Sequence, residues 1–176
     1  MYSFRNDYSE GAHPKVLQAL ADTNLRQTVG YGLDPCCQAA ADTIRRLCAA
    51  PDAAVHFLVG GTQVNLVTID AFLQSYEAVV AAQTGHVSTH ETGAIEATGH
   101  KVCTVESPDG KLTPALVESV LAGHNGTEHM VLPRLVYISD TTETGTLYTR
   151  AGLTALRRCC DAHGLFLYLD GARLGS

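Results

Sequence analysis

Short apolar runs without alternation, each separated from the next by a segment of helical spacing, leave few folds open to this chain. Val55 to Val59, Glu77 to Ala81, Lys101 to Val105, Leu135 to Ser139 and Leu165 to Leu169 are each five residues long. Strands that do not alternate are buried on both faces, and strands separated by helices pair in parallel. Helices are expected from Pro14, from Pro35 to Cys48 with Asp34 as N-cap, and from Thr62 to Ser75. Others are expected over Glu91 to Thr98, Thr113 to Leu121 and Arg150 to Ala162. The expected fold class is α/β: a three-layer sandwich with a mainly parallel sheet covered by helices on both faces.

Composition narrows the function. A net charge of −6 argues against a general nucleic-acid binder, which needs a basic face. The 45% apolar and 17% charged content is that of a globular rather than a disordered chain. The longest uncharged stretch, Ala53 to Ile69, is interrupted by His56, Gly60, Gly61, Thr62, Gln63 and Asn65, so no membrane span or membrane partner is expected. The opening MYSFRNDYSE has no apolar segment behind it and does not read as a secretory signal. Two adjacent cysteine pairs, Cys36-Cys37 and Cys159-Cys160, with Cys48 and Cys103, offer no zinc or redox spacing. Reduced thiols in the cytoplasm are expected, which leaves the sequon at Asn125 idle. The length of 176 residues suggests one domain, or one and part of another. The last expected strand ends at Asp170, with no covering helix after it, so the expectation is the front part of a larger chain.

Open parallel sheets bind ligands outside the carboxyl ends of their strands. Val59-Gly60-Gly61-Thr62-Gln63-Val64-Asn65 reads as a strand, a glycine turn and a helix start. Free N–H groups there would favour an anion such as phosphate, although the spacing matches no nucleotide motif. Alternatively it is only a tight turn. Leu167-Tyr168-Leu169-Asp170-Gly171-Ala172-Arg173 places a carboxylate directly after a buried strand, with an arginine able to address a carboxylate or phosphate. Alternatively, Asp170 is a helix cap. His86, His90 and Glu91 could form a metal hydrolase site, but their order is not that of a zinc motif and no metal is expected.

Taken in order, FRND, YGLDP, GGTQVNLV, HVSTHETGA and LDGARL resemble the threonine aldolase family of pyridoxal-phosphate enzymes, along the whole chain. The resemblance implies a large domain of the PLP-dependent transferase type, incomplete at its C-terminus, over residues 36–176. Residues 1–35 would form an N-terminal segment, and the small C-terminal domain would be absent. It implies pyridoxal 5′-phosphate as cofactor and cleavage of L-threonine or a related β-hydroxy amino acid to glycine and an aldehyde. Gly61 and Thr62, with Gly60 beside them, would grip the cofactor phosphate. His86 would stack on the pyridine ring, Glu91 matches the glutamate five residues later, and Asp170 would bind the ring nitrogen. Arg173 and the N-terminal segment would hold the substrate carboxylate, with Asn6 standing where the family has serine. A homodimer or homotetramer is implied for the complete protein.

Two departures accompany the resemblance. The family's ENTH segment carries a histidine near the substrate hydroxyl, and Ser139-Asp140-Thr141-Thr142-Glu143 has none. The base taking that proton could then be His86, His90, a water or an unplaced residue. The family's cofactor-binding lysine lies beyond DGAR, whereas this sequence has only Lys15, Lys101 and Lys111. The chain as given is expected to be inactive alone. A β-eliminating amino-acid lyase on the same scaffold and a non-catalytic fragment are the competing readings.

Overall fold

The computed structural model describes residues 3–124 and 126–174; the sequon's Asn125 lies outside them. The chain divides into two compact units, Met1–Phe57 and Leu58–Ser176.

The first unit carries α1 (Pro14–Thr23) and α2 (Pro35–Leu47). Proline opens both helices, where its missing N–H costs nothing. The Asp34 carboxylate accepts from the N–H groups of Cys36 (2.8 Å) and Cys37 (3.0 Å), satisfying two donors that the helix itself cannot. The apolar stripe of α1, made by Val16, Leu17 and Leu20, is exposed.

The run Val55 to Val59 forms no strand, contrary to its composition. A strand exists only through a ladder to a neighbour. Phe57, Leu58 and Val59 remain exposed and pair with none of the described strands.

The second unit is the α/β sandwich. Its elements run α3 (Gly61–Phe72), β1 (Glu77–Ala82), α4 (His86–Thr89), α5 (Ala94–Ala97) and β2 (Val102–Val105). After these come α6 (Pro114–Ala122), β3 (Leu132–Ser139), α7 (Arg150–His163) and β4 (Phe166–Asp170). The four strands form one sheet in the order β2-β1-β3-β4, every pair parallel. The helix expected over Glu91 to Thr98 shrinks to α5. Thr92 and Gly93 both adopt positive φ (55° and 75°), which an α-helix cannot contain. The helix expected to reach Ser75 stops at Phe72, because Leu73 is already extended.

Side chains of adjacent strand residues point to opposite faces, and the core splits accordingly. Val80, Ala82, Val136 and Ile138 pack with Val117 of α6 and Leu156 and Cys160 of α7. Val79, Ala81, Leu135 and Tyr137 pack with Ile69 of α3, Val87 of α4 and Ile95 of α5. The result is three layers, helix on sheet on helix.

Strand order also positions a site. From β1 the chain crosses to β2 on one side, and from β3 to β4 on the other. The switch point therefore lies beyond the carboxyl ends of β1 and β3, where this architecture leaves a crevice. A small cavity opens there, lined by Thr84, Gly85, Tyr137, Ser139 and Thr142 among others.

Candidate active site

Register brings the chemistry together at that end of the sheet. Ser139 pairs with Asp170, so the last residues of β3 and β4 lie level. The Tyr137 hydroxyl donates to Asp170 Oδ2 at 2.6 Å and accepts from Ser139 Oγ at 3.3 Å. Asp170 is partly buried.

The second donor to Asp170 comes from α3. Asn65 Nδ2 lies 3.1 Å from Asp170 Oδ2 and 2.5 Å from Glu91 Oε1, so a single amide serves two carboxylates. Asn65 Oδ1 accepts from the Tyr168 hydroxyl at 2.7 Å. Glu91 Oε1 also meets His86 Nδ1 at 2.8 Å. The Glu91 side chain is wholly buried, while His86 keeps about a third of its ring in reach of solvent, at 35%. With the carboxylate accepting from Nδ1–H, His86 presents Nε2 as its proton acceptor. Glu91 Oε2 is buried without a partner among the described residues. Such an orphan is costly to hold in a folded chain, which marks the site as more than packing.

The phenols of this network stay protonated. Burial is the first cause, pushing Tyr168 up to about 12, with the Asp170 charge second. Burial likewise raises Tyr137, and the hydrogen bond to Asp170 raises it further. Tyr148, whose hydroxyl accepts from Leu112 N–H at 2.6 Å, is pushed up to about 12 mainly by burial. A tyrosine that binds its proton more tightly folded than unfolded stabilises the fold fully below its unfolded pKa, near 10. That contribution is lost as pH rises through the folded value. The urea midpoint is therefore expected to fall between pH 10 and 12, and a flat midpoint across that window would contradict the assignment.

The other expected site residues are placed as follows. Gly60 is extended and precedes α3, which has no side-chain cap. The N–H groups of Gly61, Thr62 and Gln63 thus open the helix without intrahelical partners; the first bond back is Val64 N–H to Gly60 O at 2.9 Å. A Cβ at Gly60 or Gly61 would meet nothing within 4 Å, so the fold leaves room there. Gly61 and Asn65 are four residues apart on one face of α3, about one turn (~5.4 Å). The helix start and the acid network are neighbours. Arg173 is exposed on the turn after β4, with Nη1 3.4 Å from Ala172 O. Asn6 belongs to the first unit, where its Oδ1 accepts from Tyr8 N–H (3.1 Å) and Ser9 Oγ (2.6 Å). His90 is exposed, its ring centroid 5.6 Å from that of His86. His86, His90 and Glu91 form no metal-sized ligand group among the described residues.

Sequence reasoning does not single out Asn65, Tyr137 or Tyr168. One signal is available: Asn65 shares the buried face of α3 with Ile69, four residues on. A buried amide on an apolar helix face needs polar partners.

Comparison with known proteins gives the family and the fold. The family model for beta-eliminating lyases matches residues 4–176. The low specificity L-threonine aldolase of Pseudomonas sp. (strain NCIMB 10558) is 35% identical over 98% of this chain and 50% of its own length. A solved threonine aldolase from Leishmania major is 56% identical with a TM-score of 0.97, covering 99% of this chain and 51% of that one. An aminotransferase from Mycobacterium tuberculosis, 20% identical over 93% of this chain and 42% of its own, shares the fold with a TM-score of 0.66. The chain spans about half the length of the curated relatives it matches. By sequence and by fold, it belongs to the beta-eliminating lyase family.

Proposed function

We propose that this chain forms the cofactor-binding part of a pyridoxal-phosphate-dependent lyase that cleaves L-threonine or a related β-hydroxy amino acid to glycine and an aldehyde. The observation that carries this reading is the network joining His86, Glu91, Asn65 and Asp170 beside the uncapped start of α3. The residues present fit the cofactor: a glycine cradle with open space for a phosphate, and a carboxylate at a strand end for a ring nitrogen.

When bound, pyridoxal phosphate supplies the sink for the electron pair released as Cα–Cβ breaks. The side chains supply the rest. Gly60, Gly61 and Thr62 would hold the phosphate through helix-start N–H groups. Asp170 would place a carboxylate against the ring nitrogen and hold the proton there. His86 would offer a flat face to the ring, and because Glu91 holds Nδ1, its Nε2 is left to take the proton of the substrate hydroxyl. Arg173 would address the substrate carboxylate through its planar fork. In this reading residues 36–176 form the cofactor domain, and the enzyme works as a cytoplasmic homodimer or homotetramer. The six free cysteines support a reducing compartment.

The product decides between this reading and its relative. Purified enzyme containing this chain, given L-threonine and the cofactor, should release glycine and acetaldehyde. Ammonia with a 2-oxo acid instead would assign β-elimination, and no product would favour a non-catalytic chain. Because a Cβ at Gly61 meets open space, Gly61→Val should fold normally yet lose at least tenfold in cofactor affinity by blocking backbone approach. Unchanged cofactor retention on desalting would remove Gly61 from the phosphate site.

A further inference from the structure

We propose that Asn65 and Tyr137 are positioning residues: they pin Asp170 by one oxygen, present the other to the cofactor's ring nitrogen, and tie Glu91 into the same rigid frame. The proposal rests on the reading of Asp170 as the ring-nitrogen partner.

Donor geometry carries it. Asn65 Nδ2 and the Tyr137 hydroxyl both end on Oδ2 of Asp170, at 3.1 and 2.6 Å. Oδ1 is claimed by neither. A carboxylate held by two donors on one oxygen cannot rotate freely, so its second oxygen keeps a fixed direction. Asn65 is itself fixed. Its primary amide has two N–H bonds, spent on Glu91 and Asp170, and its carbonyl is occupied by Tyr168. An amide meets these demands and no other residue of its size does. Aspartate offers no N–H at all, and its charge would face two further carboxylates. Tyr137 is equally constrained, rising from β3 among buried neighbours and oriented by Ser139. The base arm, His86–Glu91, and the electron-sink arm, Asp170, are therefore spaced by one side chain.

Two measurements test this on the full 176-residue chain. In the ligand-free protein, the Asn65 side-chain amide protons should be separate and protected from exchange in NMR spectra. Asp170→Ala should shift one of the two, and Glu91→Ala the other. An Asn65 amide that exchanges like that of exposed Asn24 would overturn the bridge. The second measurement uses pyridoxine 5′-phosphate labelled with ¹⁵N in the ring, which needs no lysine to bind. Asn65→Asp, Asn65→Ala and Tyr137→Phe should each weaken its binding about tenfold, the loss expected for a charge-assisted hydrogen bond. Each should also move the ring ¹⁵N resonance toward that of the free neutral ligand. A space-filling role predicts that the isosteric Asn65→Asp and the ring-preserving Tyr137→Phe leave the resonance where it is, and that result would sink the proposal. If the wild-type chain takes up no ligand, the cofactor reading fails, while the amide spectra still decide the bridge.

Discussion

Asp170→Ala, in an active enzyme that contains this chain, is expected to lower kcat by about 10²–10³-fold, the usual loss when a preorganised charge leaves a reaction centre. The carboxylate lies at the end of β4, level with Ser139 of β3, at the end of the strands where open parallel sheets bind ligands. On the proposed reading, no charge would then hold the proton on the ring nitrogen, and the cofactor would be a poorer electron sink. The same substitution strands two donors, the Asn65 amide and the buried Tyr137 hydroxyl. Each buried unpaired group costs about 1–3 kcal/mol, so the variant should also melt earlier. Kinetics and stability separate at Asp170→Asn, which refills the space without the charge. Its melting temperature should lie closer to wild type while kcat remains low. Steady-state assays of glycine release read both variants, and a kcat within tenfold of wild type for Asp170→Ala would remove this residue from the chemistry.

The layered α/β fold can be read from the sequence because its strands declare themselves by composition alone. Polar–apolar alternation is absent from Glu77–Ala82, all six residues of which are buried, as expected of a central strand in a covered sheet. The run Val55 to Val59 misleads for the same reason: apolar composition identifies a candidate strand but cannot supply its neighbour. Glu91 to Thr98 misleads because Thr92 takes a positive φ that its residue type disfavours, ahead of Gly93, whose positive φ glycine permits. The site divides along a similar line. Asp170 and Gly61 become candidates in the sequence because they lie next to an element boundary, where open parallel sheets bind ligands. Asn65 and Tyr137 lie 105 and 33 residues from Asp170, and only strand register and helix packing bring them to it. The contacts that pin a functional group are thus the part that a linear pattern hides.

A polypeptide of these 176 residues, supplied with pyridoxal phosphate and L-threonine, is expected to release no glycine. Covalent capture of the cofactor aldehyde needs an amine within bonding reach, and the lysines of the second unit are not available. Lys101 precedes β2. Through the register of β2, β1, β3 and β4 it lies level with Leu165, five residues before Asp170. That is roughly 16 Å short of the ligand-facing end at a rise of about 3.3 Å per residue. Lys111 lies past the carboxyl end of β2, but its ammonium pairs with Asp109 Oδ2 at 3.0 Å and approaches Leu147 O at 3.5 Å. Moving it would sacrifice both contacts. Borohydride reduction of the cofactor-loaded chain followed by peptide mass spectrometry should give sparse labelling spread over several lysines. One lysine labelled to completion, together with glycine release, would overturn the expectation and identify the amine that the chain uses.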